Sequence, residues 1–137
     1  MKRKVLFICT HNSARSQMAE GLANHYLSDN WEAFSCGTEK TIVKPWAIDA
    51  LKKIDIDITH HTSKTVEAFK GWEFDLVVTV CDSAKESCPY FPGKKVIHHE
   101  FKDPSNAEDD KKLDEFCKIR DEIKNWILTD ALFKLPS

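Results

Sequence analysis

Apolar residues fall into two kinds of pattern along this chain, short unbroken runs and helical stripes, and the two alternate. Val5-Leu6-Phe7-Ile8-Cys9 is a continuous run that stops at the polar Thr10-His11-Asn12-Ser13. Such a run predicts a parallel strand buried on both faces. Ala14, Met18, Leu22 and Tyr26 then recur at helical spacing, flanked by Ala19, Ala23 and Leu27, and predict an amphipathic helix. A short strand is expected over Ala33-Phe34-Ser35-Cys36, ending at Gly37. Pro45 is placed for the first turn of a second helix carrying Ala47, Ile48, Leu51 and Ile54.

The second half repeats the alternation. Phe74-Asp75-Leu76-Val77-Val78-Thr79-Val80 reads as a strong strand that ends at Cys81. Pro89, Pro92 and Gly93 mark a loop before a short strand near Lys95–His98. Ser105-Asn106-Ala107-Glu108 has the form of a capping box. It is expected to open a last helix with Leu113, Phe116, Ile119, Ile123, Trp126 and Ile127 on its apolar side. The predicted class is therefore α/β: one domain over residues 1–137, a four-stranded parallel sheet with helices on both faces. Ligands of such sheets sit beyond the carboxyl ends of the strands. Cys9 and Cys81 both lie at such ends.

Composition narrows the class. The 137 residues fit one core, and 42% apolar with 31% charged residues is the balance of a soluble globular protein. The longest apolar run is far too short to cross a membrane. Lys2, Arg3 and Lys4 precede it, but no small-residue cleavage site follows, so no signal peptide is read and a cytoplasmic protein is expected. A net charge of -2 gives no reason to expect nucleic acid or an anionic membrane as partner. Five irregularly spaced cysteines in a reducing compartment should be thiols, which directs attention to metal binding or redox catalysis.

Cys9-Thr10-His11-Asn12-Ser13-Ala14-Arg15-Ser16 has the form C-x5-R-S between a strand and a helix. A loop curled over a helix N-terminus aims several N–H groups at one point, where the helix dipole also favours an anion. The Arg15 guanidinium adds a planar fork matched to an oxyanion. The same field favours the thiolate form of Cys9, and Ser16 is placed to donate a hydrogen bond to that sulfur. The alternative is a buried cysteine that merely ends a strand.

Residues 4–20 resemble the opening of low-molecular-weight protein tyrosine phosphatases and their thioredoxin-coupled arsenate reductase relatives. Arg15-Ser16-Gln17-Met18-Ala19-Glu20 is closer to the reductases, since the phosphatases usually have proline after the serine. The resemblance continues through Ser35-Cys36-Gly37, His61-Thr62-Ser63, Asp75 to Cys81 and Arg120-Asp121-Glu122-Ile123-Lys124. It implies an oxyanion held by residues 10–16, from Thr10 to Ser16, with Asn12, Ser16, Ser35 and Thr62 supporting the loop. It also implies that Asp103, in Asp103-Pro104, is a general acid; without it, Asp-Pro would read as an ordinary turn. The phosphatases commonly have tyrosine after that proline, where Ser105 stands here.

Cys81-Asp-Ser-Ala-Lys-Glu-Ser-Cys88 is similar to the second and third redox cysteines of the reductases. The implied activity is reduction of arsenate to arsenite by Cys9, then Cys81, then Cys88, leaving a Cys81–Cys88 disulfide. Thioredoxin is the implied reductant, with glutaredoxin and glutathione the second choice. The other reading is a phosphatase using Cys9, Arg15 and Asp103 alone, and some phosphatase activity is expected in either case. A monomer without metal or organic cofactor is expected. C-x6-C falls outside common zinc spacing, and His60-His61 and His98-His99 are adjacent pairs rather than i, i+4. Some relatives have a carboxylate two residues after the matching threonine that helps to hold potassium. Lys64 stands there in this chain, and its ammonium is expected to substitute for the cation, facing Glu20. Residues 82–94 are expected to move during turnover, and Cys36 and Cys117 to be packing residues.

Overall fold

Strand β1 (Arg3–Ile8) is the centre of the structure, a computed structural model that describes residues 2–81 and 91–134. It pairs in parallel with β2 (Trp31–Cys36) on one side and β3 (Leu76–Thr79) on the other, and β3 pairs in parallel with β4 (Val96–His98). The sheet order is β2-β1-β3-β4. Because β1 has neighbours on both edges and cover on both faces, each of its positions from Val5 to Ile8 is buried. The unbroken apolar run of the sequence is the record of that environment.

Val5 and Phe7 face the larger core, which receives Met18, Ala19 and Leu22 from α1 (Arg15–Tyr26), Ala47, Ala50 and Leu51 from α2 (Pro45–Lys52), and Phe116, Ile119 and Ile123 from α3 (Lys112–Thr129). Leu6 and Ile8 face the opposite side, where Phe69, Phe74 and Phe91 pack with Phe34 and Val66. Among the described residues a 3-10 turn (Val66–Phe69) and these rings, rather than an α-helix, cover that side. The four-stranded parallel sheet is thus the one the sequence predicts.

Several boundaries differ from expectation: β3 spans only Leu76–Thr79 of the run from Phe74 to Val80, and α2 ends at Lys52, before Ile54. Strand β2 begins at Trp31, since its register with Arg3 extends the pairing, and the Trp31 indole N–H donates to the Phe133 carbonyl at 2.9 Å. The capping box does not open the last helix. Pro104–Asn106 is a 3-10 turn capped by Asp103, Ala107 and Glu108 are extended, and α3 begins only at Lys112. The proline and the Asp103 cap close a separate turn, and the extended pair that follows interrupts helical hydrogen bonding. Pro45 does occupy the first turn of α2.

Asp75 fastens the start of β3 to β1. Its carboxylate accepts from the Lys4 backbone N–H at 2.8 Å and lies 3.1 Å from the Lys94 ammonium, while its own N–H donates to the Lys4 carbonyl. The Lys4 hydrogen bond, with help from Lys94, holds its pKa below the ordinary value of 3.8. A depressed carboxylate pKa stabilises the fold above the unfolded pKa, and the contribution is lost as pH falls through the folded one. Asp75→Asn should therefore lower stability in urea by about 1 kcal/mol at pH 7, with the gap closing below about pH 4. An equal gap at pH 3 and pH 7 would contradict this role.

Candidate active site

The chain leaves β1 at Ile8, forms the loop from Cys9 to Ala14, and enters α1 at Arg15. Every loop carbonyl from Thr10 to Ser13 is engaged from outside. The Thr10 carbonyl accepts from the Thr38 and Glu39 N–H groups at 2.9 and 3.2 Å. The His11 carbonyl accepts from the Thr41 and Ser63 hydroxyls at 3.0 and 3.1 Å. The Asn12 carbonyl accepts from the Gln17 amide at 3.0 Å, and the Ser13 carbonyl from the Lys44 N–H at 2.8 Å. In a trans peptide the N–H points opposite to the carbonyl. The N–H groups of His11, Asn12, Ser13 and Ala14 are consequently turned toward the interior of the loop. No side chain caps α1 at Ala14, so the helix N-terminus adds its field to the same region.

Two features permit this curl. Asn12 adopts φ 48°, a left-handed conformation that asparagine tolerates better than most residues. Gly37, at the end of β2, lets the backbones touch: a Cβ there would lie 2.5 Å from the Cys9 carbonyl oxygen, 2.6 Å from that of Thr10 and 2.9 Å from the Asn12 nitrogen. The sequence marks Gly37 only as a strand stop, and its role against the loop becomes visible once β1 and β2 are paired.

The Cys9 sulfur lies 2.8 Å from the Ser16 hydroxyl and is almost fully buried. Arg15 is buried too. One of its terminal nitrogens donates to the Phe101 carbonyl at 3.1 Å, and the other lies 3.7 Å from Asp103 Oδ2. The chain after β4 reaches this place because the His99 and Phe101 N–H groups bond to the Thr79 and Val80 carbonyls, carrying it past the end of β3. The other Asp103 oxygen accepts from the Ser105 N–H at 2.9 Å, which orients the carboxyl. Cys9, Arg15 and Asp103 line one cleft of about 370 Å³, with Thr41, Lys44 and Ser105 also on its wall.

Cys81 lies two residues beyond the end of β3 and is fully buried. Its sulfur lies 3.8 Å from the Thr10 hydroxyl and 3.7 Å from the Ile8 carbonyl, at the base of the loop and within the same core as Cys9. Cys88 and most of the segment 82–94 lie outside the described residues. Cys9, Cys36, Cys81 and Cys117 are all free thiols. Burial, with Cys9 nearby as a lesser cause, pushes the Cys36 thiol up to about 12. At neutral pH Cys36 is thus a poor nucleophile, in keeping with a packing role.

Behind the loop, Asn12 Oδ1 accepts from the Lys64 N–H at 2.7 Å and its Nδ2 donates to Ser16 at 2.9 Å. Thr62 contributes its carbonyl, which accepts from Gln17 at 3.0 Å. The Ser35 hydroxyl instead bonds Glu20 at 2.6 Å. The Lys64 ammonium donates to the Thr62 carbonyl at 2.8 Å and acts on Glu20 through space. His11, also on the wall of the cleft, is half exposed and paired with exposed Glu39 at 3.1 Å. Gln17 and His61, both at the centre of the buried hydrogen bonding behind the loop, carry no functional motif in the sequence. A polar Gln17 beside the apolar stripe of α1 was the available signal. Among the described residues no cluster of three or more His, Cys, Asp or Glu is arranged for a metal ion, and no helix is long and apolar enough to cross a membrane.

Fold and loop together define a class: parallel α/β proteins with a C-x5-R anion loop between the first strand and the first helix. Residues 4–132 match the family of low molecular weight phosphotyrosine protein phosphatases, and the chain belongs to that family. It is similar to an arsenate reductase of Halalkalibacterium halodurans, 44% identical over 133 residues, which cover 95% of this chain and 96% of the relative. Among solved structures it resembles an arsenate reductase in a phosphate-binding state, with a TM-score of 0.79, 29% identity and 96% of each chain covered. It also resembles the thioredoxin-dependent arsenate reductase of Corynebacterium glutamicum, with a TM-score of 0.67 and 27% identity over 93% of this chain and 61% of that one.

Gly37→Ala tests the close approach of β2 to the loop. Forced displacement of three backbone atoms should cost about 1–3 kcal/mol in urea unfolding. It should also weaken binding of sulfate, used as a tetrahedral probe in calorimetry. Undiminished sulfate affinity would show that the loop does not depend on this contact.

Proposed function

We propose that this chain reduces arsenate to arsenite through Cys9, Cys81 and Cys88 and is regenerated by thioredoxin. The observation that carries the reading is the position of the Cys81 sulfur, 3.8 Å from the hydroxyl of the residue that follows Cys9. A phosphate-ester hydrolase has no use for a second buried thiol at that place. The similarity to arsenate reductases, one of them thioredoxin-dependent, supports the same activity.

Arsenate has the shape and charge of phosphate and is held by the inward N–H groups of residues 11–14 with the Arg15 fork. The Cys9 thiolate attacks arsenic, and Asp103 protonates the oxygen that departs as water. General acid help of this kind is worth ~10²–10⁴-fold. The Cys81 thiolate then attacks the Cys9 sulfur. The sulfur–arsenic bond breaks with its electron pair passing to arsenic, so As(V) becomes As(III) and a Cys9–Cys81 disulfide forms. Cys88 attacks the Cys81 sulfur and releases Cys9 as a thiolate. The resulting Cys81–Cys88 disulfide closes a short loop at small entropic cost. Two electrons from the thioredoxin dithiol restore it, with glutaredoxin and glutathione the second candidate donor.

All the groups come from one chain acting as a single domain over residues 1–137, so a monomer suffices, and neither metal nor organic cofactor enters any step. The reducing cytoplasm supplies the electron donor. Slow hydrolysis of aryl phosphates is expected alongside, because anion binding and attack by Cys9 are shared.

The test follows NADPH oxidation with arsenate, thioredoxin and thioredoxin reductase. Sustained turnover is expected for the wild-type protein and at least a hundredfold loss for Cys88→Ser. Unchanged turnover in that variant, or aryl phosphate hydrolysis without arsenate-dependent oxidation, would contradict the reading.

A further inference from the structure

The charges on the wall of the cleft are unevenly matched. Arg15 faces the Phe101 carbonyl and Asp103 Oδ2, and His11 faces Glu39. Lys44 lines the same cleft, yet among the described residues its ammonium makes no hydrogen bond and no ion pair. The neighbouring wall residues Thr41, Ile42 and Ser105 carry no charge. Lys44 is therefore the cation of the cleft that no carboxylate meets among the described residues.

Its place is fixed from both sides of the backbone. The Lys44 N–H donates to the Ser13 carbonyl at 2.8 Å, which joins it to the anion loop itself. Its carbonyl accepts from the Ala47 and Ile48 N–H groups at 3.0 and 3.3 Å, at the start of α2. Pro45 restricts Lys44 to extended backbone, as its φ of -62° and ψ of 134° show. The residue is half-buried, so its charge acts through a medium less screening than bulk water.

An anion held by the loop lies beside the Cys9 thiolate and near Asp103, and every negative charge added to the ligand increases that repulsion. The loop N–H groups and the Arg15 fork recognise shape and hydrogen-bonding oxygens, which a singly and a doubly charged tetrahedral anion share. An unmatched cation recognises charge, because its attraction doubles when the ligand charge doubles. We propose that Lys44 is a specificity-determining residue that makes the cleft prefer doubly charged tetrahedral oxyanions to singly charged ones of the same shape. For the proposed reaction it selects the arsenate dianion. The assignment rests on the reading of this cleft as the oxyanion site, but its test needs neither turnover nor thioredoxin.

Sulfate and perchlorate are tetrahedral anions with two and one negative charges, and neither titrates near neutral pH. The affinity of each is read from its protection of Cys9 against iodoacetamide, scored by mass spectrometry of the peptide containing residue 9 at constant ionic strength. Lys44→Gln should weaken perchlorate about fivefold and sulfate by about the square of that factor, the scale of one unit charge acting across a partly screened cleft. Lys44→Arg should keep the wild-type preference for sulfate. Damage to the loop would instead weaken both anions alike. Equal losses for the two anions in Lys44→Gln, no loss for either, or a preference that Lys44→Arg does not keep, overturns the proposal. Absence of protection by both anions in the wild-type protein would refute the oxyanion site itself, and the role of Lys44 with it.

Discussion

The outward engagement of the carbonyls of Thr10, His11, Asn12 and Ser13 is the constraint on which the site depends. Each carbonyl finds a donor in a different part of the chain: the segment after β2, Thr41, Ser63, Gln17 and the backbone before α2. Peptide planarity then turns the following N–H groups inward. Four inward donors beside a helix N-terminus form a region suited to a tetrahedral anion. The fold holds the binding geometry in place before the substrate arrives.

The sheet sets what surrounds that anion. Because β1 and β3 are neighbours in parallel, their carboxyl ends lie side by side, and Cys9 and Cys81, one and two residues beyond the two strands, share one region. The continuation of β4 along the end of β3 delivers Asp103 to Arg15. Cys9, Arg15, Asp103 and Cys81 thus converge from three parallel chain segments that are far apart in sequence. Gly37 closes the arrangement from the β2 side by allowing backbone contact that any Cβ would prevent.

Much of this was legible in the sequence because it rests on local signals. The run Val5 to Cys9, the stripe of α1 and Pro45 of α2 each announce an element through their own periodicity or backbone restriction. The C-x5-R-S motif between a strand and a helix places the anion loop for the same reason. The start of α3 was misjudged because two competing caps, Asp103 and Ser105, lie close together, and the proline turn belongs to the first. Gln17 and His61 were missed because their meaning is tertiary. Gln17 is defined by carbonyls of residues 12 and 62, and His61 by the buried carboxylate of α1. Ser35 matched a supporting position yet serves Glu20, a distinction that only the packing of α1 on β2 reveals.

The account stands on the capacity of the Cys81 sulfur to reach that of Cys9 while arsenic is attached. The most direct measurement mixes reduced Cys88→Ser protein with one equivalent of arsenate, without thioredoxin, and maps disulfides by peptide mass spectrometry while arsenite is quantified. One arsenite per protein together with a Cys9–Cys81 disulfide is the predicted result. Arsenite release without that bond, or a disulfide joining Cys9 to Cys36 or Cys117, would contradict the account.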